Sequence, residues 1–119
     1  MRNSPQDVHK KVLGRKGENQ VDAYLKKQGM KILERNDKTP FGEADLIALD
    51  GDEIAFVEVK TRTSDTYGRP SEAVVKNKRM RYRKIAQFYW IQTGEEPNAR
   101  FDVAEVYADG TIEYLKNAF

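Results

Sequence analysis

The chain has 119 residues, of which 39% are hydrophobic and 34% charged, and its formal net charge is +2. This size predicts one domain over residues 1–119 with a modest hydrophobic core. Because the chain has no cysteine, disulfides and thiolate metal sites are excluded, and a cytoplasmic location is expected. The polar N-terminus argues against a signal peptide, and no apolar stretch approaches the length of a membrane span, so we expect no membrane partner.

Hydrophobic periodicity and turn residues predict two helices and five strands. In chain order these are a tail at 1–6, a helix at 8–28 that ends at Gly29, strands at 30–35, 44–49 and 53–61, a helix from about 70 to 92, and strands at 100–107 and 111–115. Loops are predicted at 36–42 and 63–70. The order of helix, three strands, helix and two strands predicts an α/β sandwich, in which helices flank a mixed central sheet of about five strands.

Helical spacing indicates the buried face of each helix. In the first helix the stripe through Val21 and Leu25 includes Glu18, so this acid is expected on the buried face. The apolar stripe of the second helix passes through Tyr82. The aromatic run at residues 88–90 is predicted to pack in the core rather than to stack against nucleic-acid bases.

Two β-rich segments, residues 44–49 and 53–61, flank the turn sequence Asp-Gly-Asp and predict a hairpin. A two-residue loop fits at Gly51-Asp52 or at Asp50-Gly51. A three-residue loop remains a further alternative and would change which side chains share a face.

Three ionisable residues are expected on one face of this hairpin. The loop at Gly51-Asp52 places Asp45 opposite Glu58, whereas the other two-residue loop places Glu43 there. Both put Asp45, Glu58 and Lys60 on the same face, since side chains alternate along a strand. Two carboxylates that face each other destabilise a hairpin by electrostatic repulsion, and burial increases this repulsion. A cation bound between them turns the repulsion into attraction. The face is therefore a candidate metal site, and the alternative is a solvated strand edge with a local ion pair.

A basic segment, residues 60–84, runs from the end of the hairpin into the second helix. Lysine and arginine occupy positions 60, 62, 69, 76, 78, 79, 81, 83 and 84, whereas acids occur there at 65 and 72. Such segregation is typical of a surface that binds a polyanion, although a charged run can also be a solvated helix face.

Five spaced motifs carry a family resemblance: Gly-x-x-Gly-Glu at 14–18, Gly-Glu-Ala-Asp-Leu-Ile at 42–47, Phe-Val-Glu-Val-Lys-Thr-Arg at 56–62, Tyr-Gly-Arg-Pro-Ser-Glu-Ala at 67–73 and Phe-Asp-Val at 101–103. Together they resemble the YraN-type family of uncharacterised bacterial proteins. That family looks like a branch of the PD-(D/E)xK nuclease superfamily, close in fold to archaeal Holliday junction resolvases. The resemblance implies a restriction-endonuclease-like sandwich.

The resemblance also implies a site. Asp45 matches the superfamily's metal-binding aspartate, Glu58 its second acid and Lys60 its lysine, while Glu18 matches the acid of the first helix. Alanine rather than proline precedes Asp45. Mg²⁺, or Mn²⁺ in its place, suits carboxylate oxygens and retained waters. Beyond the two strand acids, further ligands are the Val59 carbonyl by analogy, Glu18 and, in reserve, Glu43.

In this interpretation Lys60 positions the attacking water or stabilises transition-state charge. Glu18 binds a second metal or orients the nucleophile, and its alternative role is a buried acid paired with Lys60 or Arg62. The candidate phosphate contacts are Arg62, Arg69, Lys76, Arg79 and Arg83.

Three functions follow from these features. The leading hypothesis is a Mg²⁺-dependent endonuclease that cleaves DNA, and the absence of a sequence-reading motif favours selection by branched or flapped structure. The alternatives are a nucleic-acid-binding or adaptor protein with this fold and little catalysis, and a structural domain with an ion-pair network. By analogy with junction-cutting relatives, we expect a homodimer.

Overall fold

The computed structural model of the protein describes residues 5–62, 72–94 and 96–119. Its elements are α1 (Pro5–Lys27), β1 (Lys31–Thr39), β2 (Gly42–Asp50), β3 (Glu53–Arg62), α2 (Glu72–Thr93), β4 (Ala99–Tyr107) and β5 (Ile112–Leu115). The order of helix, three strands, helix and two strands confirms the predicted α/β architecture. Neither of these two described helices combines the length and apolar character that a bilayer crossing needs.

All five strands form one sheet in the order β1-β2-β3-β4-β5. Neighbouring strands are antiparallel except β3 and β4, which are parallel. A parallel pair requires a long connection, and the connection between β3 and β4 contains α2. The sheet is therefore mixed, as predicted, with β3 at its centre.

The two helices cover opposite faces of the sheet. Along β3, Ala55 and Val57 join the buried cluster that contains the α1 residues, whereas Phe56 joins the cluster of α2. This alternation follows from the two-residue period of a strand buried on both faces. Even-numbered positions of β3 consequently face α2, which fixes the side on which Glu58 lies.

The structure corrects two boundaries. Helix α1 begins at Pro5, so the tail predicted at residues 1–6 was too long, since proline is tolerated in the first turn of a helix. Strand β1 continues to Thr39, so most of the loop predicted at residues 36–42 is paired with β2. Asn36 adopts a left-handed φ of 50° within this strand. The loop predicted at residues 63–70 lies outside the described residues.

The β2–β3 turn settles the register. Asp50 pairs with Glu53 and Gly51 has a φ of 62°, which identifies Gly51-Asp52 as the loop. Of the alternatives left open by the sequence, the loop at Asp50-Gly51 and the three-residue loop are therefore wrong. The pairing continues in the same register as far as Leu46 and Val57.

A buried cluster of charged side chains lies at the end of the sheet next to the β2–β3 turn. Arg100 is 3% exposed and Asp102 is fully buried. The guanidinium donates to Asp102, and it also binds Asp50 at 2.9 Å and Glu53 at 3.3 Å. Tyr114 Oη donates to Asp102 Oδ2 at 2.5 Å. The cluster thus ties the hairpin to β4 and β5.

The aromatic run at residues 88–90 is only partly in the core. Tyr89 packs edge-on against Phe56, with ring centroids 5.7 Å apart. Phe88 instead contacts Phe41 near the β1–β2 turn. Trp90 is 42% exposed, so the prediction of core packing is wrong for this residue.

Gly17 allows α1 to approach β3 closely. A Cβ atom at this buried position would lie 3.0 Å from Thr61 Oγ1 and 3.5 Å from Val59 Cγ1. These contacts leave no room for a branched side chain. The close approach also sets the position of Glu18, the next residue along the helix.

Substitution Gly17→Val is expected to lower the free energy of unfolding by about 1–3 kcal/mol, because overpacking must push α1 away from β3. Urea denaturation followed by circular dichroism measures the change. The control is Lys16→Val at the neighbouring exposed position, where the valine side chain contacts solvent. This substitution should lower the free energy of unfolding by about 0.5 kcal/mol or less. Equal losses in the two variants would contradict a steric role for Gly17.

Candidate metal centre

Strands β2 and β3 part at the end of their ladder, and we call this point the β2–β3 fork (residues 45 and 58–60). The last ladder pair is Leu46 with Val57, although β2 stays paired with β1 as far as Gly42. Beyond it, the Val59 N–H donates to Asp45 Oδ2 at 2.8 Å. A side chain therefore replaces the strand partner, and the predicted facing of Asp45 and Glu58 is not a ladder pair.

Glu58 lies on the α2 side of the fork and is 8% exposed. Lys60 Nζ lies 3.2 Å from its Oε1, so the two residues share a face as predicted. Lys78 Nζ, from α2, lies 3.1 Å from Oε2. This is an ion-pair distance, but Oε2 is buried and has no hydrogen-bond partner. One carboxylate oxygen at the fork is thus incompletely satisfied.

Asp45 is half-buried beside these groups. Burial, together with the negative charges of Glu18, Glu58 and Glu43, raises the pKa of Asp45 to about 6, against the opposing effect of the Val59 N–H bond. Three other acids therefore act on Asp45 electrostatically. The fork concentrates negative charge in a partly desolvated place, which is the condition that a bound cation relieves.

The lysines and Tyr82 complete the electrostatics of the fork. Burial lowers the pKa of Lys78, while Glu58 opposes that shift and Lys60 adds to it. Burial, together with Glu58 and Asp45, raises the pKa of Tyr82 far above its usual range. Tyr82 is consequently a neutral phenol under the fork.

Glu18 and Glu43 occupy the borders of the fork. Glu18 is half-buried on α1 and Glu43 is exposed on β2. The partners considered for Glu18 are engaged elsewhere, because Lys60 pairs with Glu58 and Arg62 pairs with Glu105 at 3.0 Å. Both acids therefore belong to the negative surroundings of Asp45.

The residues at the fork fit a hard cation with few protein ligands. Among the side chains that the structure describes, at residues 15–62, 76–94 and 96–119, no group of three or more acidic or histidine residues is arranged to hold an ion. The candidate ligands at the fork are therefore two strand carboxylates, Asp45 and Glu58, and the Val59 carbonyl. Mg²⁺ commonly uses one or two carboxylates and keeps its waters, so Asp45 and Glu58 are a sufficient set. The unsatisfied Glu58 oxygen favours this fit.

Three of the predicted phosphate contacts, Lys76, Arg79 and Arg83, are exposed on α2. Arg62 is half-buried and is held by Glu105. Arg69 lies outside the described residues. Of the predicted phosphate contacts whose side chains the structure describes, the exposed ones therefore lie on α2.

Lys78 is the site residue that the sequence reasoning missed. It lies four residues before Tyr82 and seven before Ile85, both of which are buried. Helical periodicity alone therefore places Lys78 on the inner side of α2. A lysine on an apolar stripe is a signal that a buried carboxylate is close.

Fold and site together define an α/β protein in which Glu58 of the central strand pairs with two lysines, beside Asp45 of the neighbouring strand. The chain belongs to the Uncharacterised protein family UPF0102, whose model matches residues 17–106. This membership confirms the YraN-type resemblance.

Several UPF0102 proteins are similar over most of their length. One from Syntrophus aciditrophicus is 50% identical over 111 residues, covering 89% of this chain and 87% of the relative. One from Caldanaerobacter subterraneus subsp. tengcongensis is 45% identical, covering 94% of this chain and 98% of the relative. One from Caldicellulosiruptor saccharolyticus is 43% identical, covering 94% of this chain and all of the relative.

Proposed function

We propose that the protein is a metal-dependent endonuclease that hydrolyses DNA phosphodiester bonds, selectively in branched or flapped DNA. The observation that carries the proposal is that Asp45 accepts the Val59 N–H at 2.8 Å, next in sequence to Glu58, whose Oε1 lies 3.2 Å from Lys60 Nζ. The raised pKa of Asp45 and the unsatisfied oxygen of Glu58 support it. The resemblance to the PD-(D/E)xK superfamily supports the same reaction class.

Each residue at the fork has a role in this reaction. Asp45, Glu58 and the Val59 carbonyl hold Mg²⁺ or Mn²⁺, which when bound offsets phosphate charge and makes water more acidic. The Lys60 side chain is 39% exposed, so its ammonium can reach a phosphate oxygen and stabilise the charge that develops there. Hydrolysis forms one P–O bond to water and breaks one backbone P–O bond. Glu18 orients the water, and Glu43 is a reserve ligand.

The exposed cations of α2 suit a DNA backbone. Lys76, Arg79 and Arg83 offer phosphate contacts, which position a substrate without reading its sequence. Selection by DNA structure and a steep loss of affinity with salt then follow. The proposal includes a homodimer and a cytoplasmic location, and analytical ultracentrifugation tests the former.

Cleavage assays test the proposal directly. End-labelled junction, flap, single-stranded and linear DNA are incubated with the protein in Mg²⁺, in Mn²⁺ and in EDTA. Cleavage of branched substrates is expected only with metal, and Asp45→Asn and Lys60→Ala should abolish it while DNA binding persists. Binding to every substrate without cleavage of any would overturn the endonuclease assignment.

A second candidate is a nucleic-acid-binding or adaptor protein with this fold and no catalysis. The observation in its favour is that Lys60 and Lys78 already neutralise Glu58 at 3.2 and 3.1 Å. In that case the fork is an ion-pair network, and a metal has no reason to bind there.

Substitution Lys78→Met separates these candidates. If the fork holds a cation, removing the competing ammonium from Glu58 should tighten Mn²⁺ binding about three- to tenfold, as expected for a partly exposed ion pair. Isothermal calorimetry measures the affinity, and Lys76→Met on the exposed side of α2 is the matched control. Destabilisation of the variant, with no Mn²⁺ binding before or after the change, supports the ion-pair network instead.

A further inference from the structure

A groove lies between the C-terminal half of α2 and the start of β4. Its volume is about 240 Å³, and its lining includes Arg83, Gln87, Trp90, Glu96, Pro97 and Phe101. Trp90 is the only tryptophan in the chain and is 42% exposed. The groove therefore offers a large aromatic surface beside an arginine.

A row of exposed side chains connects the groove with the β2–β3 fork. Lys76, Arg79, Arg83 and Trp90 are spaced by three, four and seven residues, which places them along one side of α2. Lys78, which contacts Glu58, lies in the same turn as Arg79. The twelve residues from Lys78 to Trp90 correspond to about 18 Å along the helix, the length of several nucleotides.

We propose that this groove binds an unpaired base in a single-stranded segment next to the cleavage site. The base stacks on Trp90, and its neighbouring phosphates follow Arg79 and Arg83. The choice of nucleic acid rests on the proposed function, and the inference names the part of a branched substrate that the protein holds.

The chemistry of the groove favours a base over other occupants. An aromatic ring and an arginine are the groups that hold single-stranded nucleic acid without reading its sequence. Glu96 repels a phosphate, but it accepts hydrogen bonds from the amino groups of cytosine and adenine. The volume is below the range of about 300–1,000 Å³ typical of small-molecule sites, which suits a single planar ring.

Tryptophan emission tests the inference without any catalysis. In EDTA, a single-stranded oligonucleotide of about 12 residues should quench Trp90, because the stacked base contacts the indole. The same sequence as a blunt duplex, and an abasic strand with the same phosphates, should leave the emission unchanged. Equal quenching by the abasic strand would overturn the inference. An emission per molecule that changes when the protein is diluted, but not when DNA is added, would overturn it as well.

Variants give an independent measure. Trp90→Ala should weaken binding of a labelled single strand, followed by anisotropy, about 5- to 100-fold, whereas Trp90→Phe retains most of the affinity. Ile91→Ala is the control, since Ile91 is 78% exposed and next in sequence. If Trp90→Ala binds the single strand with unchanged affinity and branched DNA is still cleaved, base binding in the groove is refuted and the proposed endonuclease activity stands. Base-dependent quenching without cleavage in Mg²⁺ refutes only the proposed reaction.

Discussion

Replacing Asp102 by alanine is expected to lower the free energy of unfolding by about 3–5 kcal/mol, because the change leaves a buried arginine without its main counter-ion. Asp102 accepts from Arg100 Nε at 3.1 Å and Nη2 at 3.0 Å. It also accepts from Tyr114 Oη at 2.5 Å and from the Asn117 N–H at 3.0 Å. A small domain is stable by about 5–15 kcal/mol in total, so the variant should be close to unfolding.

Urea denaturation followed by circular dichroism provides the measurement for Asp102→Ala. The control is Asp52→Ala, an exposed acid in the β2–β3 turn, which should change stability by about 0.5 kcal/mol or less. The double variant Arg100→Met/Asp102→Leu should lose less than Asp102→Ala alone, since it removes both buried charges. Stability within about 1 kcal/mol of the wild type in Asp102→Ala would mean that Asp50 and Glu53 suffice for Arg100.

Substitution Asp45→Asn is expected to lower the rate of cleavage at least about 100-fold. The same substitution is expected to stabilise the metal-free protein. The pKa of Asp45 is raised to about 6, so at neutral pH folding forces a charge into an unfavourable place. Removing that charge should add about 1–2 kcal/mol, after allowing for solvent screening, and raise Tm by about 3–8 °C. Asparagine can still accept the Val59 N–H bond, so the fork should keep its shape.

The pH dependence of this gain identifies its cause. Above pH 6 Asp45 is ionised in both the folded and the unfolded chain, and the full cost is present. As the pH falls through 6 towards 4, the folded state binds the proton first, so the wild type regains stability and the difference disappears. Thermal denaturation in EDTA at pH 7.5 and pH 4 measures this, with Asp52→Asn as the charge-matched control. A gain that persists at pH 4 would contradict the electrostatic explanation.

The architecture of the central hairpin was predictable from the sequence, whereas its register was left open between alternative loops until the pairing of Asp50 with Glu53 settled it. The period of two along β3 predicted that Glu58 and Lys60 share a face, and their contact at 3.2 Å confirms it. The sequence did not predict that β2 and β3 part after Leu46. A hydrogen bond from the Val59 backbone to a side chain has no local sequence signature.

The errors have identifiable physical causes. Asn36 belongs to residue types typical of loops, yet β1 continues past it because the apolar strand β2 needs a partner as far as Gly42. Trp90 is eight residues from Tyr82, which places it about 80° around α2, at the edge of the buried stripe, where it is 42% exposed. The cluster around Arg100 joins residues about 50 positions apart, and the chain offers no local pattern that pairs them.

The Arg100 cluster and the β2–β3 fork lie at opposite ends of β3. Glu53 and Glu58 are five residues apart on that strand, which corresponds to about 16 Å. At such a separation the energetic effects of substitutions are usually additive. The domain can therefore be engineered for thermal robustness at the Arg100 cluster while the β2–β3 fork is left untouched.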